Sequence, residues 1–302
     1  LRILHISDVH VQVDYEHAVW ASIGWRRVVA QIELKLARRA RRFREAPETL
    51  AALLREAEIG GYDHVILSGD LTALAVDEEF ERVRKALGAL ADRPDRLTVV
   101  PGNHDVFTPG SVRKRRFEKW FGHLLHSDLP RYQVEGPWPV VRLLGEEHAI
   151  VGLNSARVPV VPGIAAGRVG DDQLAALIAA CADPAMRGRN VLVVVHHAPL
   201  RPDGRLDRRI HGLLDADRLI EACRIAGVQA IFCGHIHHRY DYAIEGGPLI
   251  VCGGSSTALR REGYVLVDSR PGQNLVVENR SLERLCGEPE DGALPDPVVV
   301  TG

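Results

Sequence analysis

The first ten residues, Leu1–His10, read LRILHISDVH, and they set how the rest of the chain is understood. Arg2–Ile6 is a short strand candidate that runs straight into Ser7, Asp8 and His10. Side chains alternate along an extended chain, which predicts Asp8 and His10 on one side. The same pattern returns four times. Val65–Leu67 is followed by Ser68-Gly69-Asp70, and Leu97–Val100 by Pro101-Gly102-Asn103-His104-Asp105. Val191–Val195 ends at His196-His197, and Ala230–Phe232 leads into Gly234-His235-Ile236-His237. Five apolar runs therefore end in carboxylate, amide or imidazole groups. Ligands of open α/β sheets gather at the carboxyl ends of strands. Gly69, Gly102 and Gly234 suit tight turns in which the backbone closely approaches a ligand.

Between these runs lie helical patterns at Pro47–Ile59, Asp77–Leu90, Asp171–Cys181 and Asp215–Ile225. Ala149–Leu153 is a further strand candidate, and Asp77 and Asp171 are expected as helix N-caps. The alternation predicts βαβ units with helices covering central strands. After Gly234 the rhythm changes. Arg239–Glu245, Leu249–Cys252, Tyr264–Asp268 and Asn274–Glu278 are closely spaced, with turns at Glu245-Gly-Gly and Arg270-Pro-Gly, which predicts antiparallel strands. An α/β sandwich of sheets with helices outside accommodates both halves.

At 302 residues the chain is long enough for either two domains or one large α/β domain. The expected organisation is one domain over residues 1–285, a basic helical insertion at about 12–46, and an irregular tail at 286–302. Lys and Arg total 38 against 40 acids, so the near-neutral charge gives no support to nucleic-acid binding by the whole protein. Cys181, Cys223, Cys233, Cys252 and Cys286 form no CxxC pair, which argues against a disulfide scaffold or thiolate zinc site. Cys223, Cys233 and Cys252 sit among apolar residues and are expected to be buried. The opening lacks the long apolar segment of a signal peptide, so a reducing cytoplasm is the expected location.

A lone aspartate after a strand is ordinarily a helix cap, and a lone histidine ordinarily a hydrogen-bonded core or surface group. Here those readings would have to hold independently at five strand ends. A buried cluster of such groups is costly without cations. Carboxylates, imidazoles and an amide suit Mn, Fe, Zn, Co or Ni, with magnesium-only and calcium sites disfavoured. His17, His123, His126 and His211 carry no metal expectation.

The blocks Asp8-x-His10, Gly69-Asp70, Gly102-Asn103-His104-Asp105, His196 and Gly234-His235-x-His237 stand in the order that resembles the calcineurin-like metallophosphoesterase superfamily. That resemblance implies a four-layer α/β/β/α sandwich of two mixed sheets flanked by helices. It implies two metal ions, Mn or Fe foremost, one held by Asp8, His10 and His237 and the other by Asn103, His196 and His235. Asp70 would bridge them, and a hydroxide between the metals would attack a phosphoester. His104 would be the non-ligand histidine beside the substrate, acting as general acid. Asn103, His104 and His197 are the expected substrate contacts, with His197 in the site wall. His196-His197-Ala198-Pro199 most resembles the branch with class III cyclic-nucleotide and glycerophosphodiester phosphodiesterases, so a phosphodiesterase is expected. A phosphomonoesterase acting on a small or lipid phosphate is the alternative, and a non-catalytic metal-binding scaffold a second one.

Sixty residues separate His10 from Asp70, and the excess is basic. Arg26, Arg27, Lys35, Arg38, Arg39, Arg41, Arg42 and Arg44 stand against the single acid Glu33 within 26–44. Three readings remain open: a solvated helix, a lid over an anionic substrate, or contact with anionic lipid. A second basic stretch, Arg113–Arg116 with Lys119, precedes Trp120, which with Trp20 and Trp25 is a candidate for a pocket wall or for packing the insertion.

Overall fold

The computed structural model describes residues 1–13, 39–158 and 164–282. β1 (Arg2–Ile6), β2 (His64–Leu67) and β3 (Leu97–Val99) run parallel, with β10 (Gly263–Asp268) antiparallel on the other edge of β1 and β11 (Val276–Ser281) beyond it. The second sheet contains β4 (Val140–Leu144), β5 (His148–Gly152), β6 (Asn190–His197), β7 (Ala230–Gly234), β9 (Leu249–Gly253) and β8 (Arg239–Ala243), in that spatial order. Its four inner strands are parallel, and β4 and β8 are antiparallel edges.

Residue alternation in the second sheet builds the layers. Ile150, Leu192, Val194, Phe232 and Val251 share a core with residues of β1, β2 and β3. Their neighbours Val151, Val193, Val195, Ile231 and Cys252 instead pack with Leu174 and Leu177 of one helix (Asp171–Cys181) and Leu219 of another (Ala216–Ile225). Two further helices, Ala46–Ile59 and Asp77–Leu87, contribute Leu50, Leu53, Phe80 and Val83 to the first core. The architecture is thus two mixed sheets flanked by helices. Each sheet-facing side chain removed from water contributes about 1.5–3 kcal/mol. Cys223, Cys233 and Cys252 are buried and unpaired, as their apolar surroundings indicate.

The structure adds detail to these expectations and corrects the helix caps. The strands after Gly234 pair antiparallel as expected, β8 with β9 and β10 with β11, but the two pairs go to different sheets: β9 also runs parallel to β7 in the second, while β10 joins β1 in the first. Turn signals reveal hairpins but do not say which sheet edge receives them. The N-caps are Val76 and Gly170, so Asp77 and Asp171 are first-turn residues. Asp77 instead accepts bonds from Arg116 Nε, Lys119 Nζ and Trp120 Nε1, which gives part of the second basic stretch a structural role. Strand β4 lies outside the sequence-based expectations.

His5 and His64 are core histidines. His64 Nε2 lies 2.8 Å from Thr98 Oγ1, and burial lowers its pKa to about 4. His5 Nε2 meets Ser68 Oγ at 2.8 Å while its ring stands edge-on to Phe232, and burial lowers its pKa to about 3. An unfolded imidazole takes a proton near pH 6.5, so the unfolded state binds more protons and stability falls as pH drops below that value. His64→Gln is expected to remove about 1.4 kcal/mol per pH unit of this acid loss between pH 6.5 and 4. Denaturant titrations across that range measure it, and an unchanged slope would place the proton on another group.

Candidate metal centre

Five loops at one end of the sandwich bring the strand-end residues together. Strand β1 stops at Ile6, so strand alternation does not align Asp8 with His10. Asp8 (φ 50°), His10 (φ 51°), Asp70 (φ 53°), His235 (φ 71°) and His237 (φ 57°) all adopt left-handed backbone. Such positions cost about 1–3 kcal/mol each and persist where the surroundings over-determine them. Here Asp8 N donates to Gly69 O at 3.1 Å and His10 N to Asp70 O at 2.9 Å. From the other side, Ser255 Oγ donates to Asp8 O at 3.1 Å and Thr257 Oγ1 to Val9 O at 2.6 Å.

Two donor groups result. In the first, Asp8, His10, Asp70 and His237 offer ligand atoms within 4.8 Å of one another. His10 Nε2 and His237 Nε2 are 3.2 Å apart, and Asp8 Oδ1 lies 3.3 Å from His237 Nε2. In the second, His196 Nε2 lies 3.2 Å from Asn103 Oδ1, and His196 and His235 fall in one cluster with His197. Asp70 Oδ2 faces both groups, 3.7 Å from His10 Nε2 and 3.4 Å from His196 Nε2. One oxygen thus does the spanning, while Asp70 Oδ1 accepts the His104 amide at 2.8 Å.

Backbone carbonyls select the nitrogen that each second-group histidine presents. His196 Nδ1 bonds Ser68 O at 2.8 Å, leaving Nε2 toward Asp70. His235 Nε2 bonds His211 O at 2.8 Å, leaving Nδ1. His197 differs from both. It is fully buried, with Nδ1 2.8 Å from Ser155 Oγ and Nε2 3.0 Å from Ala165 O. Both nitrogens are engaged inside the protein. Hydrogen bonds of this kind orient metal-ligating histidines.

Charge in the site is poorly balanced without cations. Burial raises the Asp8 carboxyl to about 7, and Asp70 adds to this while His196 and the hydrogen bonds from Ser7 and His235 oppose it. Burial favours neutral His196, but Asp70 and Asp8 outweigh it and lift the imidazole to about 9. Burial also works against ionised Asp70, yet His196, His104 and His10 hold its carboxyl well below the usual range. Asp8 Oδ1 is buried and accepts no hydrogen bond. An orphaned carboxylate oxygen facing imidazole nitrogens fits a divalent cation with mixed oxygen and nitrogen ligands.

His104 sits at the partly exposed edge. Its Nδ1 meets Ala73 O at 2.7 Å, and its ring packs edge-on to His10 and in parallel with Phe107. The glycines bring protein groups together: a Cβ on Gly102 would collide with the Asp70 carboxylate, and one on Gly234 with Ser7 Oγ and Asp8 Oδ2. Gly102→Ala is therefore expected to displace Asp70 and weaken metal binding about 10–100-fold. Equilibrium dialysis against Mn measures this, and wild-type affinity would show that the loop yields at no cost.

Several supporting residues were not assigned roles from sequence. Asp105 accepts bonds from the amides of Leu71, Thr72 and Gly102, tying two of the loops together. Ser7 Oγ donates to Asp8 Oδ2 at 2.7 Å. Phe43 is buried with its ring 4.8 Å from His10. It marks the described end of the basic insertion, with Arg41, Arg42 and Arg44 exposed around it. Residues 14–38, including Trp20, Trp25, Arg26, Arg27, Lys35 and Arg38, and the tail 286–302 with Cys286 lie outside the described residues. The GNHD motif pointed to Asp105, whereas Ser7 and Phe43 gave no comparable signal.

The two-sheet α/β sandwich thus sets one Asp70 oxygen between two histidine groups at one end. The calcineurin-like phosphoesterase profile matches residues 1–239, and the chain belongs to that family. The fold is similar to that of a dimetal phosphatase from Danio rerio, with a TM-score of 0.63 at 13% identity, covering 93% of this chain and 96% of that one. It is also similar to a purple acid phosphatase from yellow lupin (Lupinus luteus) seeds, with a TM-score of 0.56 at 12% identity, covering 93% of this chain and 51% of that one. At such identities the likeness concerns the fold. No curated protein sequence matches this chain.

Proposed function

We propose that the chain is a two-metal phosphodiesterase, with Asp8, His10 and His237 holding one cation and Asn103, His196 and His235 the other. Asp70 is the shared ligand. The observation that carries this reading is the single oxygen, Asp70 Oδ2, facing the imidazoles of both groups. When bound, such cations would lower the pKa of a water and offset charge on the phosphoryl oxygens. Manganese and iron suit the donor set.

The chain's own residues orient and protonate. Asp70 Oδ1 holds the His104 amide, and Ala73 O holds His104 Nδ1–H. The proton delivered to the leaving oxygen is therefore carried at Nε2, consistent with general-acid catalysis. His197 supports the site through Ser155 and Ala165.

The diester preference rests on the His196-His197-Ala198-Pro199 pattern. Initial rates on bis-p-nitrophenyl phosphate and p-nitrophenyl phosphate, with Mn restored to chelator-stripped protein, test it. Faster metal-dependent diester turnover is expected. A monoester preference would replace this reading with a phosphomonoesterase, and two bound metals without turnover on either substrate would favour the scaffold.

A further inference from the structure

The sequence assigns His211 no metal role, yet the fold sets it against His235. The two rings are 4.1 Å apart between centroids at 33°, and the His211 carbonyl accepts from His235 Nε2 at 2.8 Å. One residue thus grips His235 twice, through its ring and through its backbone. The His211 side chain is itself anchored, with Nδ1 2.5 Å from Asp207 Oδ2. Asp207 in turn lies close against the following turn, where a Cβ on Gly212 would stand 2.7 Å from its own Cβ.

The turn carrying His211 belongs to a pair of crossing loops. Ala165 N donates to Ile210 O at 2.9 Å, Gly167 N to Gly212 O at 3.2 Å, and Leu214 N to Gly167 O at 2.9 Å. The first loop's Ala165 O accepts from His197, whose ring leaves no room for a Cβ on Gly167. The second loop's His211 O accepts from His235. The paired loops therefore deliver two carbonyls to adjacent imidazoles, 4.4 Å apart between rings. Asp207–His211 is the outer, side-chain tie on that assembly.

We infer that Asp207 and His211 are positioning residues for the second metal group, holding His235 so that Nδ1 faces the cation. This rests on the two-metal reading above. Neither residue is assigned contact with substrate. Outer groups that orient a ligating histidine typically change metal affinity about 10–100-fold when removed. Free rotation of the His211 ring removes its stacking surface and loosens the turn that presents its carbonyl. The contacts of His211 described above reach His235 of the second group.

The test is a Mn(II) titration of full-length, chelator-stripped protein, followed by electron paramagnetic resonance and calorimetry, with Asp207→Ala, His211→Ala, His211→Phe and Asp207→Asn. Wild type is expected to take two Mn and develop an exchange-coupled signal. Asp207→Ala and His211→Ala are expected to bind the first Mn normally and the second about 10–100-fold more weakly, giving a mononuclear signal at two equivalents. Asp207→Asn keeps an acceptor and should restore most of the loss. His211→Phe keeps the stack without the tie and should fall between. Circular dichroism checks that the variants remain folded. Two normal sites in folded Asp207→Ala and His211→Ala would overturn the inference, as would equal weakening of both sites. Fewer than two Mn in the wild type would instead overturn the two-metal reading beneath it.

Discussion

Replacing Asp70 with asparagine is expected to lower diester turnover by about three orders of magnitude and to leave less than two metals per chain. Asp70 is 1% exposed, and its Oδ2 is the atom that faces both His10 and His196. Asparagine has nearly the same shape and can still accept the His104 amide, so the loop is expected to keep its path. What disappears is the negative charge shared by the two cations. Lewis-acid stabilisation by a metal supplies several kcal/mol at the transition state, and about 4 kcal/mol corresponds to roughly a thousandfold in rate. Metal analysis and diester kinetics on the same sample measure both effects. Wild-type turnover with two metals in Asp70→Asn would remove Asp70 from the shared position.

The same substitution carries a pH signature. In the metal-free protein His196 stays protonated up to about pH 9, chiefly because Asp70 and Asp8 overcome burial. Metal binding must displace that proton, so affinity at the second group is expected to rise with pH toward about 9. Removing the Asp70 charge lowers the His196 pKa and moves the rise to lower pH. Calorimetric Mn titrations in buffers of different ionisation enthalpy count the released proton directly.

His104→Ala is the second large effect, and it separates differently. Metal content should remain at two, because His104 donates no ligand in the proposed set. Turnover should fall by about 10²–10⁴-fold, the range for a well-placed general acid. The loss should be greatest for diesters with alkoxide leaving groups, which need the proton, and smaller for p-nitrophenolate, which does not. Nδ1 lies against Ala73 O, and the ring packs between His10 and Phe107. A penalty independent of leaving-group basicity would assign His104 to charge stabilisation instead of proton transfer. Loss of metal in the same variant would make it part of the metal shell.

Much of this protein was legible along the chain. Apolar strands ending in Asp, Asn and His marked the site because burying such groups is unfavourable unless something compensates them. The residues Asp8, His10, Asp70, Asn103, His104, His196, His235 and His237 all come together at one end of the sandwich. The helix over Asp171–Cys181 was visible from its pattern, with the residues the structure shows. Its cap was not, because capping depends on backbone angles at Gly170 that composition does not encode. The alternation used to align Asp8 and His10 gave the right neighbours for the wrong reason. Left-handed turns aim those side chains, and hydrogen bonds from Ser255 and Thr257, some 247 residues away, hold them there.

The division between the two sources of information follows from the range of the forces involved. Short-range pattern determined the strand-and-helix alternation, the identity of the polar strand ends and the chemistry their donor atoms can perform. Tertiary structure decided which sheet receives each C-terminal strand, that one oxygen of Asp70 faces both histidine groups, that both His197 nitrogens bond inside the protein, and that the His211 ring packs on His235. Those outcomes depend on contacts between segments distant in sequence, where packing chooses among rotamers and ring nitrogens that the local chain leaves equally available.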